Sequence, residues 1–116
     1  MLKVLIGALI AICWVSAASA QTIGGRYMVR GTNPDGSTYG GSAEIILAND
    51  GSCRMLWNTG DAFNGTCIIS GQSVNAIYQS GSGSGTANYQ LQPDGTLTGV
   101  WTMGAGNGTE VLIPAR

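Results

Sequence analysis

The side chains in this chain that could do chemistry are few. They are the carboxylates Asp35, Glu44, Asp50, Asp61, Asp94 and Glu110, the thiols Cys53 and Cys67, and a set of aromatics. Histidine is absent. That removes the commonest acid/base group and metal ligand at neutral pH. It also removes any nucleophile, base and orienter triad from the many Ser and Thr residues, which fall in turns or at outward positions. All four aspartates sit in turns, where Asp is favoured for its local backbone hydrogen bonds. The runs Asn33-Pro34-Asp35-Gly36 and Asp50-Gly51-Ser52 lack the alternating oxygens and closing Glu of a calcium loop. Glu44 and Glu110 lie in strands instead. A glycosidase pair needs both in one cleft, and Glu44, sharing the parity of Ser42, is expected to face solvent. The Gly-Ser run at 81–85 has neither the Lys nor the following helix of a phosphate loop. No catalytic residue, metal or cofactor is assigned, and a non-enzymatic protein is expected.

Cys53 and Cys67 carry a different chemistry. A turn centred on Gly60 sets Cys53 against Cys67, Met55 against Gly65 and Trp57 against Phe63 across two antiparallel strands. Directly opposed residues of such a pair lie close enough for a disulfide. Zinc is the competing use of two thiolates, but without histidine half of its tetrahedron stays empty.

The elements that position these groups follow a period of two throughout, with no helical spacing. Asn33-Pro34-Asp35-Gly36, Asn49-Asp50-Gly51 and Gln92-Pro93-Asp94-Gly95 share the chemistry of three-residue hairpin loops, Gly taking the left-handed position that ends each. Such loops keep inward parity. They pair Gly31 with Tyr39, Val29 with Gly41 and Tyr27 with Ala43; Leu47 with Cys53, Ile45 with Met55 and Ala43 with Trp57; Leu91 with Leu97, Tyr89 with Gly99 and Ala87 with Trp101. A two-residue turn at Gly71-Gln72 switches parity and pairs Ile69 with Val74, Cys67 with Ala76 and Gly65 with Tyr78. Aromatics repeatedly face Gly or Ala, as when a ring covers a glycine in a curved sheet. The stretch Gln79 to Gly85 is expected as a long, mobile, exposed loop. A seventh strand is expected over Thr96 to Met103 and an eighth over Thr109 to Pro114, linked by Gly104 to Gly108.

The fold class is all-β: one antiparallel meander closing into a small eight-stranded up-and-down β-barrel, since closure removes the two edges an open meander exposes. A β-sandwich is the alternative. The expected inward set is Tyr27, Val29, Tyr39, Ala43, Ile45, Met55, Trp57, Phe63, Ile69, Tyr78, Tyr89, Leu91, Leu97, Trp101 and Leu112. Its aromatics, Tyr27, Tyr39, Trp57, Phe63, Tyr78, Tyr89 and Trp101, either line a ligand cavity or form the core. Glu110 is ambiguous, because its connection does not fix its face. If it points inward it needs a partner. One reading is an end-of-barrel ion pair to Arg26 or Arg30, since the first and last strands become neighbours on closure. Exposure, or a functional carboxylate, are the others.

Residues 1–20 have Lys3, an apolar run from Val4 to Val15 too short to span a bilayer, and Ala18-Ser19-Ala20 as a small-residue cleavage signal. That is a signal peptide's layout, and it implies a secreted or periplasmic protein cut near Ala20/Gln21, not inserted in the membrane. Residues 21–116 then form a single domain, with Cys53 and Cys67 in an oxidising compartment where a disulfide is the default. Its sparse, slightly acidic charge offers no basic footprint for nucleic acid or an anionic membrane.

Tyr27-x-Val29-x-Gly31-x-Asn33-x-Asp35-Gly36-x-x-Tyr39-x-Gly41, Trp57-x-x-Gly60, Phe63-x-Gly65, Tyr89, Asp94-Gly95-x-Leu97-x-Gly99-x-Trp101 and Gly108-Thr109-Glu110-x-Leu112 resemble a family of small secreted alphaproteobacterial proteins often labelled fibronectin-binding protein. The resemblance covers nearly all of residues 21–116 and implies adhesion to a host matrix protein. The cysteines and the Gly/Ser run depart from the family's pattern. In architecture alone the chain is also similar to avidin-type and lipocalin-type barrels, and fold does not imply function.

Two functions follow as expectations. One is a binding module with an unknown small apolar or aromatic ligand in the barrel mouth, or a protein partner on its loops. The other is an extracellular or envelope interaction protein, such as a matrix adhesin or an inhibitor of a secreted enzyme, with a filled barrel. A cavity of more than about 300 Å³ open at one end separates the first from the second.

Overall fold

The computed structural model describes residues 22–80 and 83–115. The expected signal peptide lies outside the described residues. The chain forms β1 (Gly25–Thr32), β2 (Thr38–Leu47), β3 (Ser52–Asn58), β4 (Ala62–Ser70), β5 (Ser73–Ser80), β6 (Gly83–Leu91), β7 (Leu97–Met103) and β8 (Gly106–Pro114). Each strand pairs antiparallel with its neighbour, and β1 with β8, so the sheet is a closed barrel and not a sandwich.

The hairpin chemistry dictates the register. In the loops ending at Gly36, Gly51 and Gly95, the glycines take φ values of 88°, 88° and 90°. The carboxylate before each glycine closes the loop: Asp35 accepts from Ser37 N and Oγ, Asp50 from Ser52 N and Oγ, and Asp94 from Thr96 N and Oγ1. These bonds hold all three carboxyls below the usual aspartate value. The resulting pairs are those that parity dictates, including Gly31 with Tyr39, Ile45 with Met55, Trp57 with Phe63, Ile69 with Val74 and Tyr89 with Gly99.

Two connections differ from expectation. The segment from Gln79 to Gly85 is not a long loop: β5 and β6 stay paired as far as Ser80 and Gly83. Gly85 is an inward position whose side chain is missing because the Tyr78 ring occupies that space. A run of Ser and Gly hides its alternation, since neither face carries an apolar side chain of its own. At the other connection β8 begins at Gly106, not Thr109, and Met103 pairs with Gly106 across a two-residue turn with Gly104 at φ 59°. That turn sets Glu110 opposite Gly99 and points it inward with Leu112.

The lumen is polarised along the barrel axis. Its lower half, at the end that holds the β2–β3, β4–β5 and β6–β7 turns, is filled by Tyr27, Ile45, Val74, Leu97, Leu112 and the Cys53–Cys67 disulfide, all buried. The disulfide joins directly opposed residues of β3 and β4 with Cα atoms 4.8 Å apart. In the upper half, aromatic rings replace the aliphatics.

Candidate functional site

In the upper half Tyr78 lies directly opposite Gly65 on one side, and four further cross-strand pairs set an aromatic ring against a glycine: Tyr39 with Gly31, Tyr78 with Gly85, Tyr89 with Gly99 and Trp101 with Gly108. A Cβ built on any of these four glycines would collide with the facing ring. At Gly31 the ring alone is in the way; at Gly85, Gly99 and Gly108 the Cβ would also strike the backbone carbonyl of Thr102, Asn88 and Thr32, so only glycine lets ring and strand approach this closely. The rings stay tilted to one another: Trp57 and Tyr78 are 5.3 Å apart at 60°, Phe63 and Tyr78 5.9 Å at 74°, and Tyr39 and Trp101 6.5 Å at 65°. Between them they enclose a cavity of about 250 Å³ at the upper end.

Glu110 lies in this cavity, 7% exposed, among the tyrosine hydroxyls. Tyr39 donates to one carboxylate oxygen and Tyr89 to the other, both at 2.6 Å, and Trp57 Nε1 donates to the Tyr89 hydroxyl at 3.2 Å. Tyr78 donates instead to the Thr102 carbonyl at 2.6 Å. Burial, and then hydrogen bonding to and the negative charge of Glu110, push the Tyr39 and Tyr89 hydroxyls well above the ordinary tyrosine range; burial and the same charge raise Tyr78. All three stay protonated donors at neutral pH. The Trp101 N–H is buried in the cavity wall without a hydrogen-bond partner. It sits near enough to Tyr39 to moderate that hydroxyl's rise, yet it does not reach hydrogen-bonding geometry.

Of the seven aromatics singled out in the sequence, Tyr39, Trp57, Phe63, Tyr78, Tyr89 and Trp101 line the cavity. Tyr27 does not: it is buried at the filled end, where its hydroxyl accepts from Gly24 N at 2.8 Å. The ion pair between Glu110 and Arg26 or Arg30 does not form. Closure makes β1 and β8 neighbours, but both arginines are at even, exposed positions of β1 while Glu110 faces the lumen. Asn33, Thr59, Asp61, Ala87 and Met103 complete the lining and were not singled out as site residues. Asp61 carried a detectable signal. It follows its glycine, whereas the three aspartates that close their own loops precede theirs, and it makes no such side-chain bond.

No family model matches the chain, and no curated protein matches it. Solved structures do. The chain is similar to a redesigned β-barrel, mFAP1, bound to DFHBI, at 16% identity and a TM-score of 0.69, covering 78% of this chain and 94% of that one. A second redesigned β-barrel matches at 15% identity and a TM-score of 0.67 over 87% of this chain and 96% of its own. The mFAP2b barrel, also bound to DFHBI, matches at 13% identity and a TM-score of 0.61 over 86% and 97%. At such identities the likeness is one of fold, that of a small closed barrel.

Proposed function

We propose that this chain is a non-catalytic binding module, secreted or periplasmic, that holds one small apolar or aromatic molecule in the mouth of its barrel. The observation that carries this reading is the cavity of about 250 Å³, walled by rings and floored by hydrogen-bonded polar groups, above a filled lower half. Its volume is slightly under the roughly 300 Å³ of a typical ligand pocket, but an apolar cavity of about 150 Å³ already takes benzene. A ligand of one ring with a short substituent fits that range. Support also comes from neighbouring barrels of the same fold, two of which are structures bound to DFHBI. The disulfide accords with an oxidising compartment.

Native mass spectrometry of the protein purified from its own host is the direct test. A co-purifying mass lost on unfolding is expected. An apo mass, together with no quenching of the cavity tryptophans by any small aromatic probe, would overturn the reading.

One observation favours a second reading, an envelope interaction protein such as a fibronectin-type adhesin: Ile46, Ile68 and Ile77 lie exposed on the outer face of β2, β4 and β5. If it holds, Ile68→Glu should abolish binding to immobilised fibronectin, and absence of binding by the unaltered protein would end it.

A further inference from the structure

We propose that the occupant of this cavity is an organic cation, a quaternary or protonated amine carried on a body of about one ring. This rests on the small-molecule reading above and names the chemical class that reading leaves open. The first ground is charge balance. Glu110 is buried, and both its oxygens are satisfied by neutral hydroxyls, which bring hydrogen bonds but no positive charge. Among the described residues the cations are Arg26, Arg30 and Arg54, all exposed on the outer face. A buried carboxylate without a counter-charge is unfavourable, and a cation entering the lumen supplies one.

The second ground is the form of the walls. Trp57 and Phe63 each stand at a steep angle to Tyr78, not stacked on it. The face of an aromatic ring carries the negative part of its quadrupole and attracts a cation set over it, which is how aromatic cages hold quaternary ammonium groups. The third ground is the mouth, where Asp61 is exposed on the cavity rim, adding a second negative charge on the way in. Charge of one sign along a narrow entry concentrates ligands of the other.

Three probes of nearly the same shape separate the possibilities: phenyltrimethylammonium, tert-butylbenzene and benzenesulfonate, titrated against the intact protein by tryptophan fluorescence and calorimetry. The cation is expected to bind at least tenfold more tightly than the neutral probe, with its affinity falling as salt rises, and the anion not to bind. Glu110→Gln should remove that preference, weakening the cation about tenfold relative to tert-butylbenzene. Asp61→Asn, on the exposed rim, should slow association of the cation alone. If tert-butylbenzene binds the unaltered protein as tightly as the cation does, the cation inference fails and the small-molecule reading stands. If none of the three binds, both fail.

Discussion

An alanine at Gly31 would place its Cβ inside the ring of Tyr39, whose hydroxyl is bonded to Glu110. The ring would have to leave the wall and give up that bond. Overpacking of this kind costs about 1–3 kcal/mol, and Gly31→Ala should show it in chemical denaturation. Gly40→Ala is the matched control: it sits on the outer face, with the Val29 carbonyl 3.5 Å away as its nearest neighbour. That change should be neutral within about 0.5 kcal/mol. The tyrosines make a second prediction at the same scale. Tyr39, Tyr78 and Tyr89 are held above their ordinary value in the folded barrel, chiefly by burial. The unfolded chain therefore releases protons first as pH rises. Their contribution to stability is complete below about pH 10 and is lost as pH climbs toward the folded values. Absorbance at 295 nm should show these three ionising together with unfolding. Independent ionisation of all three near pH 10 in a folded barrel would contradict the network around Glu110.

At the scale of the element, the β3–β4 hairpin is held twice, by its ladder and by the disulfide. Because β2 and β5 fix the register of the same two strands from either side, the Cys53→Ala, Cys67→Ala double variant should keep the barrel. It should lose about 3 kcal/mol, the entropy of a closed loop of this length. Far-UV circular dichroism should stay unchanged while the denaturation midpoint falls; collapse of the spectrum would mean the disulfide sets the fold. The strands show what a sequence can reveal. Where one face carried large apolar groups, as in Tyr27-x-Val29 or Cys53-x-Met55-x-Trp57, parity and turn chemistry dictated both register and face. Reading failed where two successive inward positions at the start of a strand were both glycine. Gly83 and Gly85 belong to β6, and Gly106 and Gly108 to β8, yet each leaves a gap in the alternation because Tyr78 or Trp101 on the facing strand fills one of those places. The face of Glu110 was hidden for the same reason, since its parity hung on a turn read as five residues long. The cavity lay beyond pattern reading altogether: which aromatics face inward is periodic, but whether they cross the lumen or lie along it depends on glycines in neighbouring strands.

Across the whole molecule, the filled lower half and the hollow upper half should differ in local stability. Amides beside Ile45, Val74, Leu97 and Leu112, fully buried among aliphatics, are expected to exchange more slowly than those beside Tyr39, Phe63 and Trp101. Hydrogen exchange with mass-spectrometric readout tests this, and a bound cavity probe should slow the upper half selectively. Uniform protection would contradict the polarised lumen. The seam between β1 and β8 carries a last consequence. Every other ladder joins strands adjacent in the chain; this one joins the ends, from Thr32 with Thr109 to Tyr27 with Pro114. Closing the longest loop is the slowest kind of step in folding a sheet. Glu110 rides on the closing strand opposite Gly31 of the opening one, while its hydroxyl partners stand on β2 and β6. The pocket therefore comes into being only when the ring is shut, and any occupant acts as a latch on the seam: it binds the shut ring, not its open precursor, and lengthens the time before the ends part.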